Sequence, residues 1–108
     1  MGAGKYDRII TIRRAAKTNV GGASQIVWSD YKANIPASAI PISDGERARA
    51  GQVEAQNSMR FRFWWAPELA DVNAKDQVVF DGVTFDINFV KEIGRRKEIE
   101  LTAASRAD

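Results

Sequence analysis

Three aspartates are the first candidates for chemistry in this 108-residue sequence, because Asp76, Asp81 and Asp86 recur at intervals of five. Calcium-binding loops place their acidic ligands two residues apart and close with a glutamate, so this spacing does not predict a metal site. A pair of acids of the glycosidase kind needs a cleft that a chain of this size rarely builds. A carboxylate-dependent hydrolase is therefore an alternative that requires two buried acids facing one cleft.

The residue types that are missing exclude most other catalytic systems. The sequence contains no histidine, which rules out Ser-His-Asp and Cys-His nucleophiles and a histidine proton shuttle. It contains no cysteine, which rules out disulfides and zinc-thiolate sites. The segment Gly2–Lys5 lacks the upstream glycine and the Ser/Thr of a phosphate-binding loop. We therefore predict no enzymatic activity, no metal and no cofactor.

Cations and aromatic rings alternate in the segment 60–65, a pattern that suits single-stranded nucleic acid because bases stack on rings and arginines bind phosphates. The period of two also indicates one β-strand with aromatic residues inward and Arg60, Arg62 and Trp64 outward. Sixteen basic against fourteen acidic residues leave a net charge of +2, which attracts a phosphate backbone only weakly. We interpret the segment as a strand and keep a single-strand nucleic-acid-binding module as the alternative.

Outward-facing tryptophans and arginines are typical anchors of protein interfaces. Trp64 falls on the arginine side of its strand, so it is either an interface anchor or a partly covered surface aromatic. Arg60 and Arg62 could pair with carboxylates of a neighbouring subunit. The candidate interface residues are Trp28, Arg60, Arg62, Trp64 and Trp65.

Short extended segments make up most of the chain. Alternating or β-branched runs predict six strands, at 8–14, 26–39, 58–65, 77–80, 83–90 and 98–102. Asp81-Gly82 joins two of them with the signature of a type I′ hairpin. Alternation predicts Val83, Phe85, Ile87 and Phe89 on one buried face. The glycine-containing segment 15–25 predicts a long flexible loop, and we expect flexible ends at 1–6 and 104–108.

The connection between strands two and three contains Ser43 and Glu46 at the spacing of a capping box, which predicts a short helix or loop. Six strands that each bury one face favour a mainly β fold. We therefore predict one domain over 1–108, a small six-stranded antiparallel β-barrel or sandwich. The apolar runs are too short to cross a bilayer, so no membrane contact is expected.

Taken in order, these segments resemble the head-tail joining proteins of tailed bacteriophages, also called head-closure or stopper proteins. The likeness extends over about residues 4–103 and is most recognisable in Val79–Ile87. The other matching segments are Gly4-Lys5, Arg8–Arg14, Trp28–Tyr31, Ala37–Glu46, Met59–Phe63 and Glu98–Thr102.

The resemblance implies a structural virion protein with a small β-barrel. It implies a homo-oligomeric ring of six or twelve subunits in the virion neck, assembled in the host bacterial cytoplasm. The ring would close the DNA-filled head beneath the portal and adaptor and would receive the tail terminator or tail tube. Packaged double-stranded DNA would lie in its channel without sequence-specific binding.

Some members of the family plug the channel with a loop, which by position corresponds to residues 43–58 here. Three acidic and two basic side chains give this segment a charge of −1, which suits a lumen that does not hold DNA. The resemblance implies these candidate channel residues: Ser43, Asp44, Gly45, Glu46, Arg47, Arg49, Gln52 and Glu54.

Overall fold

The computed structural model describes residues 6–42 and 58–105. This part of the chain is mainly β and confirms the predicted fold class, with antiparallel strands throughout. The strands are β1 Arg8–Val20, β2 Ala23–Pro41, β3 Ser58–Trp64, β4 Gln77–Phe80, β5 Val83–Ile93 and β6 Glu98–Ser105, and one 3₁₀ turn covers Pro67–Leu69. The short helix predicted between strands two and three lies outside the described residues. Within the described ranges no helix is long and apolar enough to cross a membrane.

The strands close into a barrel in the order β1-β2-β3-β6-β5-β4, and β4 pairs back with β1. The ladder between β3 and β6 runs from Ser58 opposite Ala104 to Trp64 opposite Glu98. The ladder between β1 and β4 is short and covers only Ile10 to Arg13. Closure satisfies the backbone groups that an open sheet would leave at its edges.

Alternating apolar side chains of β1, β3 and β6 fill the barrel, as the period of two predicts. The largest fully buried side chains are Ile10, Ile12, Phe61, Phe63 and Leu101 of these strands and Val78 of β4. The ring of Phe61 packs edge-on against Phe80 at 5.6 Å and against Phe85 at 5.4 Å, a preferred aromatic geometry. Burying each such side chain stabilises the fold by about 1.5–3 kcal/mol.

The predicted loop over 15–25 is wrong, because β1 and β2 form a long hairpin. Gly21 and Gly22 have φ of +60° and +85° and make its two-residue turn, a conformation that glycine adopts without steric cost. The residues nearest this turn are exposed on both faces, so they show no alternation of apolar and polar side chains. We call residues 14–20 and 23–29 the arm, since this part of the hairpin extends past the end of β4.

The predicted single face of β5 is also wrong. Phe85 and Ile87 are buried, whereas Phe89 is 66% exposed and Val83 is 42% exposed. The pairing with β6 shifts after Ile87, so that Asn88 is an extra residue, a β-bulge. One extra residue turns every later side chain to the other face, which places Phe89 outside the barrel.

The ends of the described chain are more ordered than the sequence predicts. We expected flexibility up to residue 6, but Tyr6 is 5% exposed and packs against Trp64. We also expected flexibility from residue 104 onward, but β6 continues to Ser105, and Ala104 and Ser105 are buried. Small side chains carry little hydrophobic signal, which is why the strand extends further than its pattern indicates.

Candidate interaction site

The outer side of β3 holds Arg60 and Arg62 beside two glutamates of β6. Arg62 Nη2 donates to Glu100 Oε2 at 2.6 Å, and Arg62 Nε lies 3.8 Å from Glu98 Oε1. Arg60 Nε lies 3.8 Å from Glu100 Oε1. The hydrogen bond to Glu100 raises the pKa of Arg62 above its usual range. Both arginines thus have carboxylate partners in their own chain: Glu100 lies directly opposite Arg62, and the other two contacts are diagonal.

Trp64 continues this row and is 49% exposed. Its indole meets the ring of the buried Tyr6 edge-on, with centroids 4.9 Å apart and planes at 84°. The contact holds one side of the Trp64 ring in place, as is expected of a rigid aromatic anchor.

Exposed apolar side chains lie at both ends of the same row of strands. Four residues lie side by side across the strands β2, β3, β6 and β5. In that order they are Ile40, Arg60, Thr102 and Phe89. Ile40 is 55% exposed and Phe89 is 66% exposed. Sequence reasoning missed Phe89 because its alternation with Phe85 and Ile87 assigns it to the core. Only the bulge at Asn88, which depends on pairing with β6, brings it to the surface.

Together these residues form what we call the ladder face, a strip of ion pairs bordered by apolar side chains. Its members are Ile40, Arg60, Arg62, Trp64, Phe89, Glu98 and Glu100. A shallow groove of about 290 Å³ crosses it beside Ser38 and Ile40. Apolar anchors around hydrogen-bonded charges are typical of protein interfaces.

The structure separates the other two predicted interface residues from the ladder face. Trp65 is half-buried and packs against the core, with the Arg96 guanidinium 5.4 Å from its ring centroid. Trp28 lies half-buried on the arm, where its carbonyl accepts a hydrogen bond from Arg13. Neither is on the outer face of β3, so the five predicted residues occupy three different places.

A second polar cluster joins the arm to the segment after β3. Arg14 donates to both carboxylate oxygens of Asp76 at 3.0 Å and to Asp71 Oδ2 at 3.0 Å. Its guanidinium also lies 3.8 Å above the centre of the Tyr31 ring. No spacing in the sequence indicates this cluster, since Arg14 is 57 and 62 positions from its two acidic partners.

Hydrogen bonds around the two aspartates hold the segment 67–76 in place. The Tyr31 hydroxyl lies 2.9 Å from both the Glu68 carbonyl and Asp71 Oδ1, and its single proton is shared between them. Contacts with Arg14 first, and then Tyr31, hold the pKa of Asp71 below its usual value. The Asn73 backbone N–H donates to Asp76 Oδ2 at 3.0 Å. We call Arg14, Tyr31, Asp71 and Asp76 the clamp.

The three regularly spaced aspartates do not share a cleft. Asp76 belongs to the clamp, and Asp86 accepts a hydrogen bond from Gln77 at 3.0 Å. Asp81 and Gly82, with φ of +55° and +79°, occupy the two-residue turn between β4 and β5. Among residues 6–42 and 58–105 no group of three acidic side chains is placed to hold a metal ion. These three aspartates therefore do not provide the facing pair of acids that the hydrolase alternative requires.

The candidate channel residues lie outside the described part of the chain. They are Ser43, Asp44, Gly45, Glu46, Arg47, Arg49, Gln52 and Glu54. Their role stays a prediction from the resemblance.

The described residues thus form a small closed barrel whose outer strip combines exposed apolar side chains with paired charges. Residues 1–106 match the model of the phage head completion protein family, and the chain belongs to that family. Membership of this family makes it a structural protein of the phage head.

Solved structures share the fold at low sequence identity. Protein SF1141 from Shigella flexneri 2a, determined in solution, is similar with a TM-score of 0.78 and 21% identity, over 100% of this chain and 99% of that one. A chain of the native gene transfer agent particle virion is similar with a TM-score of 0.63 and 21% identity, over 91% and 92% of the two chains. No curated protein sequence matches this chain.

Proposed function

We propose that the protein forms a homo-oligomeric ring in the head–tail connector. The ring closes the DNA-filled head beneath the portal and adaptor and receives the tail terminator or tail tube. Membership of the head completion family supports this role. In this proposal the chain 1–108 acts as one domain, works by docking rather than by turnover, and is incorporated at the virion neck after synthesis in the host cytoplasm.

The ladder face is the observation that carries the proposal. Phe89, Ile40 and Trp64 each expose about half or more of their surface to water, which is costly unless a partner covers them. The ion pairs between them are already neutralised, so assembly can bury them without isolating a charge. A ring needs a heterologous contact that closes on rotation, and the ladder face supplies one half of such a contact. Six or twelve subunits would satisfy this closure.

The channel of such a ring would have to pass DNA without holding it. The net charge of +2 provides little attraction for a phosphate backbone. Arg60 and Arg62 are paired with Glu100, which further reduces their attraction for phosphates. In this proposal the segment 43–58 faces the channel and DNA is retained without sequence-specific contacts.

Purified heads that carry portal and adaptor but lack this protein provide the test. The wild-type protein should co-sediment with them and restore tail attachment. Phe89→Ser should weaken the association at least about tenfold, as loss of an interface anchor does. Val83→Ser is the matched control, because it removes an exposed apolar side chain at the other end of the same strand. Failure of the wild-type protein to associate, or equal binding by both variants, would contradict the proposal.

The single-strand nucleic-acid module is disfavoured by the same geometry. Phe61 and Phe63 lie fully inside the barrel and cannot stack on bases, which leaves Trp64 as the exposed ring of the segment. Tryptophan fluorescence should therefore stay unchanged when an oligonucleotide is added at low salt. Quenching with a steep salt dependence would favour the nucleic-acid function instead.

A further inference from the structure

Both strands of the arm have an outer backbone edge that no described strand covers, since β2 pairs with β3 only from Ala37 to Pro41. The edge of β1 is the one that borders a defined space. β1 pairs with β4 only from Ile10 to Arg13, while its pairing with β2 continues to Val20. The chain enters β4 at Gln77, opposite Arg13, and the preceding Asp76 is held aside by Arg14 and by the Asn73 N–H. The strand position beside residues 14–20 is therefore open, in line with β4. An open edge presents alternate N–H and C=O groups that can pair with an added strand.

This open position is a defined space of about 400 Å³ between β1 and the turn at 73–76. Ala15 and Ala16 line it on the strand side, and their small side chains leave room for those of an added strand. Ile26, which is 64% exposed, adds an apolar surface beside them. The rest of the lining is polar or charged and consists of Arg14, Lys17, Asn73, Lys75 and Asp76.

The charge of the space differs from that of its surroundings. At the base of the arm three cations pair with four carboxylates: Arg13 with Asp30, Arg14 with Asp71 and Asp76, and Lys32 with Glu68. Lys17 and Lys75 form no salt bridge within the described ranges, and both line the open position. A strand placed there meets two ammonium groups that have no acidic partner among the described residues.

We propose that the β1 edge of the arm binds an extended, acidic segment of a different protein as an additional strand in line with β4. Directly opposed side chains on adjacent strands are about 4.5–5.5 Å apart, so a glutamate opposite Lys17 can reach its ammonium group. Residues on the other face of the added strand pack against Ala16. Backbone hydrogen bonds provide affinity in this mode of binding, and alternate side chains provide specificity.

A second copy of this chain is a poorer occupant of the same edge. Two-fold pairing of two β1 edges would bring together two surfaces that each carry Lys17 and Lys75. Like charges facing each other across a ladder destabilise the pairing. The charge of the edge therefore favours a partner of opposite charge over self-association.

Amide NMR of the full-length chain tests the proposal with defined peptides. The probe is acetyl-Val-Glu-Val-Glu-Val-amide, and the controls are the same peptide with lysine for glutamate and an acidic peptide N-methylated at alternate residues. With the acidic probe we expect amide shifts confined to residues 14–20 and 73–76. The lysine peptide should bind at least about tenfold more weakly, and the N-methylated peptide should not bind. Lys17→Glu/Lys75→Glu should reverse the charge preference, whereas the control Arg95→Glu/Lys97→Glu should not.

Three results would overturn the inference. The first is the absence of shifts at the arm at millimolar probe. The second is binding that survives N-methylation, which would mean charge attraction without strand addition. The third is concentration-dependent shifts of the same amides without peptide, which would assign the edge to a second copy. Because this titration uses the isolated chain, its failure is distinct from failure of the connector role.

Discussion

Arg14 is the residue through which the arm and the segment 67–76 depend on each other. Replacing it by methionine keeps most of the packing volume but removes the hydrogen bonds to Asp71 and Asp76. The Asp76 side chain is 2% exposed, so the substitution would leave its carboxylate buried without the cation that pairs with it. We expect Arg14→Met to lower the free energy of unfolding by about 2–3 kcal/mol, measured by urea denaturation.

Arg14→Lys is the matched control for that change. Lysine keeps the charge but cannot make the paired contacts of the guanidinium fork. The free energy of unfolding of Arg14→Lys should lie between that of wild type and that of Arg14→Met. An unchanged urea midpoint for Arg14→Met would mean that the clamp does not stabilise the fold.

Asp71 should make stability depend on pH in acid. Contacts with Arg14 and Tyr31 lower the pKa of its carboxyl from the ordinary value of 3.8. A group with a depressed pKa in the folded state contributes fully above its unfolded pKa, and the contribution is lost as pH falls through the folded pKa. The Tm advantage of wild type over Asp71→Asn should therefore be constant at pH 5–7 and shrink below about pH 4. A difference that persists undiminished to pH 2 would contradict this account.

At the scale of elements, the bulge in β5 separates two phenylalanines that the alternation treats alike. Phe85 is 4% exposed and packs on Phe61, whereas Phe89 is 66% exposed. Phe85→Ala should cost about 3–5 kcal/mol of unfolding free energy, as core truncations do. Phe89→Ala should change it by no more than about 0.5 kcal/mol. Equal losses in urea denaturation would mean that β5 has no bulge.

The strands that alternate regularly could be predicted from sequence, because one buried face imposes the period of two. This holds for the start of β1, for β3 and for β6, whose inward residues Ile10, Phe61 and Leu101 are fully buried. The bulge in β5 could not be predicted, because the apolar residues of β5 keep a regular spacing across Asn88. Only the register of its pairing with β6 changes there. The arm could not either, because a ribbon with two exposed faces has no side that must be apolar.

The candidate interaction site, too, could be predicted only in part from the sequence. Alternation along β3 predicted that Arg60, Arg62 and Trp64 face outward, but not that glutamates of the neighbouring β6 pair with the two arginines. Strand neighbours depend on the closed order of the barrel, which local patterns do not contain. The clamp depends on the same long-range arrangement, so its members look unrelated along the chain.

At the scale of the whole molecule, the barrel and the arm should differ in local stability. Barrel strands such as β3 and β6 pair on both sides and cover a common core. The arm is a two-stranded ribbon without a buried face, which is marginally stable by itself. We expect amides of 15–20 and 23–28 to exchange with deuterium at least about tenfold faster than those of β3 and β6.

Hydrogen exchange followed by NMR or mass spectrometry measures this difference directly. Exchange in the β4–β5 hairpin is the internal control, because that hairpin has a similar two-residue turn but closes the barrel. Uniform protection across both hairpins would mean that the arm is stabilised by contacts beyond its own ladder.

The two-glycine turn at the tip of the arm makes its reach adjustable. Inserting two residues into each strand beside Gly21 and Gly22 would lengthen the ribbon by about 7 Å, at about 3.4 Å per residue. An even number preserves which side chains share a face. No core residue would have to move. The distance that the arm spans to a neighbouring molecule could therefore be changed, in evolution or by engineering, without changing the stability of the barrel.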